Sequence, residues 1–326
     1  MATKKSPAKK KKSLKRSRSK AKKTQPAVRI LRYEITNSGT PGNETSHFID
    51  LARDLSLMNR RLYRQGRDYH VKRVTIVSSN TPNLGNRVSI STAGDSWVTR
   101  EAWKRGFNVF TRMRSDASHN LAGNIEGTWA DFKVYLSNDM QTSTLPVPRP
   151  LDNGGNAVLL NEWYYSDLVT PEDGSTGSDA FKVGLLGNHA GSAGARSYVG
   201  LIKSYGESRS TVNPDDPNVP AVASDDPLVN VFDYGASMDT VINSMELSND
   251  NPPYDIANYP GDDGNIPKPQ IVQDTTLVDG KSTVGGFNAI AGLIEIECKS
   301  AIPSDVYSIL VELAPGSYRG IKAEVI

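Results

Sequence analysis

The stretch Val28-Arg29-Ile30-Leu31-Arg32-Tyr33-Glu34-Ile35 separates two unlike parts of the chain. It is rich in β-branched and aromatic residues and reads as a first strand. Before it, residues 1–27 are dominated by Lys, Arg, Ser, Ala and Pro. A segment of that composition cannot bury enough apolar surface to offset its ordering entropy, so it is expected to be disordered alone. After it, hydrophobic runs recur to the end of the chain.

The charge is equally divided. Residues 1–23 hold 12 of the 38 Lys and Arg: Lys4, Lys5, Lys9, Lys10, Lys11, Lys12, Lys15, Arg16, Arg18, Lys20, Lys22 and Lys23. The first acid is Glu34. The rest of the chain has 26 bases against 36 acids, a net of −10, although the whole molecule is only +2. An acidic body therefore carries a cationic arm.

Two amphipathic helices are predicted after the first strand. Phe48, Leu51, Leu55, Met58 and Leu62 fall on one helical face, with Ser46 as N-cap. Val98, Ala102, Phe107 and Phe110 give a looser stripe from Trp97 to about Met113, capped by Asp95 or Ser96. Tyr69 to Ser79 between them reads as a strand. Further strands are predicted at Phe132–Leu136, Ala157–Tyr165, Ala180–Leu186, Tyr198–Tyr205, Val229–Tyr234, Asn288–Cys298, Tyr307–Leu313 and near Ile321–Val325. Polar loops rich in Gly, Pro, Asp, Asn and Ser separate them. Many strands and only two helices, both early, argue against a βαβ sheet. The predicted fold is mainly β: a single jelly roll, meaning a double-sheet antiparallel sandwich, over 28–326, with two inserted helices and a disordered arm over 1–27.

Several chemistries lack their residues. No run approaches the roughly 20 apolar residues of a membrane span, and the basic N-terminus lacks the apolar stretch of a secretory signal. The single cysteine, Cys298, cannot form an intrachain disulfide; it alternates with Ile294 and Ile296 and is expected in a core. His47, His70, His119 and His189 have no metal spacing. Gly280-Lys281-Ser282-Thr283 resembles the end of a phosphate-binding loop, but Thr275 stands where its first glycine belongs. The pairs Asp215-Asp216, Asp225-Asp226 and Asp262-Asp263 read as solvated loop acids rather than a calcium site. No catalytic constellation stands out, so neither an enzyme nor a cofactor is expected.

What remains is polyanion binding. Clustered Lys and Arg on a flexible chain neutralise phosphates and release counterions without reading sequence. The Arg53–Arg73 segment adds seven bases against two acids, with Arg60, Arg61 and Arg64 on the first helix and its end; Arg100–Arg114 adds five against one. The 205–280 region holds two bases against fourteen acids. A shell with the basic parts inside and the acidic loops outside is the simplest arrangement. Lys9–Lys12 with Lys15-Arg16 would also serve nuclear import.

The basic arm, together with Phe48-Ile49-Asp50-Leu51-Ala52-Arg53-Asp54-Leu55 and Asn59-Arg60-Arg61-Leu62-Tyr63-Arg64-Gln65-Gly66, resembles capsid proteins of small circular single-stranded DNA viruses that encode a Rep protein. Ile309 to Gly316 and the Phe287 to Ile296 strand add to the likeness, which lies in style and order. The resemblance implies self-assembly into an icosahedral shell of on the order of 60 copies or a multiple. It also implies a lumen-facing arm on the viral genome, with single-stranded DNA as partner, and location in the virion and the host nucleus. Two alternatives stay open: a cellular nucleic-acid-binding protein with a histone-like tail, for which Ser6-Pro7-Ala8-Lys9-Lys10 speaks, and the coat protein of a small RNA virus.

Overall fold

Leu31, Tyr33 and Ile35 point inward while their neighbours are exposed, so Ile30–Thr36 forms a half-buried strand, β1. The computed structural model describes residues 26–78, 86–120, 130–149, 163–169, 180–192, 195–210 and 270–326. After β1 come β2 (Glu44–Asp50), α1 (Leu51–Asn59), β3 (Arg67–Ser78), β4 (Arg87–Thr92), α2 (Trp97–Asn120) and α3 (Asn138–Thr142). Next are β5 (Asp167–Val169), β6 (Ala180–Gly184), β7 (Ala190–Ser192), β8 (Ala195–Gly200) and α4 (Leu201–Ser210). The C-terminal part holds β9 (Gln270–Thr276), β10 (Lys281–Val284), β11 (Phe287–Ile290), β12 (Leu293–Lys299) and β13 (Val306–Leu313), then β14 (Pro315–Gly316), β15 (Gly320–Ile321) and β16 (Ala323–Val325).

The pairing defines the topology. One sheet runs β1-β13-β3-β10, with β11 and β16 also on β3; the other runs β2-β12-β4-β9. β10 and β11 lie along consecutive halves of β3, broken at Gly285-Gly286, and act as one strand. The sandwich strands then pair first with last, second with second-last, and so inward: β1 with β13, β2 with β12, β3 with β10–β11, β4 with β9. All these pairs are antiparallel. One long hairpin wrapped into two facing sheets is the jelly roll. Its core includes Tyr33, Val71, Ile76, Ile296, Cys298, Ile309 and Val311.

The hairpin's innermost connection, residues 93–269, is an insertion. Its described parts contain α2, α3, α4 and a third sheet in the order β5-β6-β8-β7. They build a second core on the sandwich, where Val98, Trp103, Phe132, Leu185 and Ile202 meet Phe48 of β2 and Leu293 of β12.

The structure corrects several expectations. The predicted first helix begins as β2, because Glu44–Asp50 pairs with β12 along its whole length. Phe48 is thus a strand residue, and Asp50, not Ser46, caps α1 by accepting from Arg53 N at 3.1 Å. Ser96 caps α2 through Thr99 N, while Asp95 pairs with Arg100. The described helices number four rather than two. Tyr198–Tyr205 is strand only as far as Gly200, where β8 ends; α4 starts at Leu201, burying Leu201, Ile202 and Tyr205. Gly200 packs so close to Gly187 that a Cβ would lie 2.1 Å from its carbonyl oxygen. Asn288–Cys298 is two strands, turned between the sheets at Ala291 (φ 56°) and Gly292 (φ 73°). Phe132–Leu136 makes one bridge, Tyr135 to Gly184, instead of a full strand. Residues 163–165 are not strand either, while 157–162 lie outside the described residues. The region 205–280, expected as loops, begins in α4 and ends in β9. The Val229–Tyr234 strand, the three Asp pairs and residues 1–25 lie outside the described residues.

A bulge on β3 has an electrostatic effect. The register with β13 skips Lys72 between Arg73 and Val71, so Lys72 and Arg73 both face outward. Both bond Glu312, at 2.6 and 2.7 Å. Ile296, fully buried at the centre of β12, tests the sandwich: Ile296→Ala is expected to cost about 2–5 kcal/mol, read as a lower midpoint in urea denaturation with unchanged slope.

Candidate nucleic-acid interface

The root of the arm is fixed to the end of α1. Val28 N donates to Asn59 Oδ1 at 2.7 Å, and Asn59 Nδ2 returns a bond to Val28 O at 3.1 Å. Arg61 Nη1 donates to Pro26 O at 3.3 Å. α1 stops at Arg60, which takes the left-handed conformation (φ 51°) and turns the chain outward. The arm therefore leaves the body beside Arg60 and Arg61, both exposed.

The C-terminal segment supplies the rest of the patch. Tyr318 packs partly buried against the sandwich core, and its hydroxyl accepts from Arg64 N at 3.1 Å. Its ring carries the Arg67 guanidinium at 3.8 Å and the Arg319 guanidinium at 5.8 Å. Tyr63 meets the same ring edge-on at 5.8 Å and donates its hydroxyl to Arg319 O. Arg319 in turn donates to Leu62 O. Arg60, Arg61, Arg64, Arg67 and Arg319 thus gather where the arm begins. Arg64, half exposed, also faces Asp131 at 3.6 Å. Only the arginine side of this pair is exposed, since Asp131 is buried.

Beneath the patch lies a buried polar network. Asp50 accepts from Arg53 N, Gln65 Nε2 (2.8 Å), Trp163 Nε1 (3.2 Å) and Tyr165 Oη (3.1 Å). Arg53 bonds Asp54 at 2.7 Å and Pro146 O at 2.7 Å, and Tyr33 donates to Asp54 at 2.7 Å. Gln65 Oε1 accepts from Val134 N. These bonds fix α1, the 60–65 turn and the 131–134 segment relative to one another.

Burial dominates the titration of the acids. It pushes Asp131 up to about 6 against the pull of Arg64 and Lys133. It pushes Asp68 to about 6, helped by Asp95 and opposed by Arg100. Burial lowers Lys133. Asp68 Oδ1 and Asp131 Oδ2 have no hydrogen-bond partner among the described residues. No group of three or more His, Cys, Asp or Glu could hold a metal among those residues, and no described helix is long and apolar enough to cross a membrane.

Of the site residues predicted from sequence, Arg60, Arg61 and Arg64 come together at the arm root. The arm bases from Lys4 to Lys23 lie outside the described residues. The Arg53–Arg73 run does not act as one surface. Arg53 is buried in its pair with Asp54, and Lys72 and Arg73 are paired to Glu312 on the outer face of their sheet. Arg100 and Lys104 of α2 are held by acids as well. Arg319 and Tyr318 were not singled out: they are some 250 positions away in sequence, and nothing local marks them. A scan against protein-family models and searches of curated proteins and of solved structures return no match.

The raised Asp131 carboxyl gives a pH prediction. Its ionised form is disfavoured in the folded state, so its contribution is favourable below the unfolded value near 4 and is lost as pH rises through about 6. Asp131→Asn removes that loss. The stability of the variant relative to the native chain is expected to be better at pH 7 than at pH 4.5, measured by urea midpoints at both; an equal difference at the two would contradict the assignment.

Proposed function

We propose that this protein is a viral coat protein that assembles into a closed shell and condenses a single-stranded DNA genome on its N-terminal arm. The observation that carries the reading is the position of the arm's root: Pro26 and Val28 of a jelly-roll body lie at a cluster of five arginines, so the arm's bases continue in sequence into the folded ones. Each exposed base offsets a phosphate through counterion release, without base reading. With on the order of 60 copies, the twelve arm bases of each chain would bring roughly 700 positive charges to the interior.

The fold supports the same reading in a second way. A jelly roll is a rigid wedge whose edges and insertions can meet neighbours, and symmetric closure limits particle size. The surface carries Trp97 (40% exposed) and Val109 (49%) on α2 and Ile271 (57%) on β9, apolar groups of the kind that subunit contacts cover. The acidic balance of the chain beyond the arm fits a body that repels nucleic acid everywhere except at the arm and its root. Nuclear import directed by Lys9–Lys12 and Lys15-Arg16 is part of the proposal.

Electron microscopy of the purified full chain is expected to show uniform spherical particles holding nuclease-resistant nucleic acid; a stable monomer at low salt, with and without DNA, would falsify the reading. Deleting residues 1–27 is expected to abolish packaging and leave the circular dichroism of the body unchanged. Replacing Arg60, Arg61 and Arg64 together by Gln is expected to weaken single-stranded DNA binding and to flatten its salt dependence by about one unit of slope per arginine.

A further inference from the structure

The described structure has an open cleft of about 360 Å³ between the C-terminal half of α2 and two extended segments, 130–133 and 164–167. One wall is Phe110, Met113, Arg114 and Ala117, one face of α2. The other includes Ala130, Asp131, Lys133 and Tyr164. The cleft therefore combines an apolar wall, two cations and an aromatic ring.

Tyr164 is the unusual member. It is 79% exposed, the most exposed large hydrophobic residue described, yet its neighbours are hydrogen-bonded into the body. Its two neighbours, Trp163 and Tyr165, turn the other way and both donate to the buried Asp50. Tyr165 also stacks on Tyr135 at 4.2 Å. The next residue, Ser166, is laced to the facing segment: Lys133 N donates to Ser166 Oγ at 3.0 Å and Ser166 N to Lys133 O at 2.8 Å. An exposed ring held by two pinned neighbours is a preformed platform, with little entropy left to lose when something stacks on it. Lys133 is nine-tenths buried, with its ammonium over the Trp163 ring at 4.6 Å.

The cleft also adjoins the arm root. Arg64 donates to Ala130 O at 3.3 Å and faces Asp131, so the residue that ends the arginine cluster is in contact with the cleft wall. A strand of nucleic acid led along Arg61 and Arg64 would reach the cleft next. Basic groove and aromatic platform together are the means by which single strands are held without sequence preference.

We propose that this cleft takes one nucleotide of single-stranded nucleic acid, its base stacked on Tyr164 against the α2 wall and its phosphate beside Arg114. The proposal rests on the coat-protein reading and adds to it a seat for individual nucleotides on the folded body. Asp167, the other acid in the wall, is paired with Lys182. Asp131 opposes the phosphate, so its neutralisation tightens binding.

The test is photocrosslinking of the full chain to a short single-stranded DNA bearing 5-iodouracil, at subsaturating concentration, with the site found by peptide mass spectrometry. The expected result is a crosslink at Tyr164 that persists in Tyr164→Trp and is lost in Tyr164→Leu. Its yield is expected to fall about tenfold in Arg114→Gln, the loss of one charge-assisted contact, and to rise in Asp131→Asn. Crosslinks confined to residues 1–27 would overturn the cleft and leave the arm reading standing. No crosslink to any peptide would overturn both. If Tyr164→Leu prevents particle formation while the crosslinks map elsewhere, the ring serves subunit contact and the proposal falls.

Discussion

Asp50 places a carboxyl group, whose pKa burial raises, at the point where β2 stops and α1 begins, with no exposed surface. A buried carboxylate is costly unless every lone pair has a donor. Here the donors come from a helix N-terminus, from Gln65 and from the aromatic pair Trp163 and Tyr165. Each of those segments belongs to a different part of the chain, so satisfying one side chain assembles all three. The helix it caps carries Asn59, which holds the arm root. Gln65 orients the segment around Asp131, and the aromatic pair sets the direction of Tyr164. Removing the carboxylate would take a shared acceptor from four donors, a larger loss than that of a surface ion pair.

The sheet framework was legible where one face of a strand is apolar. Val28–Ile35, Tyr69–Ser79 and Tyr307–Leu313 read as strands because β-forming residues dominate them, and they became β1, β3 and β13. Strand pairing, however, overrides helical spacing. Phe48 fits the helical face of Leu51, Leu55 and Met58, yet seven consecutive ladder positions hold it in β2. The Leu201–Ser210 helix was missed because Tyr198–Tyr205 is apolar enough for either state, and only the close packing at Gly200 marks the junction.

Charge was legible as quantity and not as place. The sequence shows seven bases between Arg53 and Arg73, but cannot show that one is core, two are tied to Glu312 by a bulge, and the remainder form the patch beside the arm. Arg319 joins that patch through side-chain-to-backbone bonds spanning most of the chain. Proximity of this kind depends on which strand lies beside which, and composition does not carry it.

The first-with-last pairing also orders events in time. Within its sheet β1 lies beside β13 alone, the sandwich strand that follows all the others along the chain. Until residues 306–313 emerge, the strand that roots the arm has only the single bridge from Arg32 to Arg149, and long-range pairings of this sort close slowly. During synthesis the cationic segment is therefore tethered to an unfinished body for most of its early life. Its anchoring waits on the last sandwich strand, so a chain truncated before β13 would present the same charges without that wall.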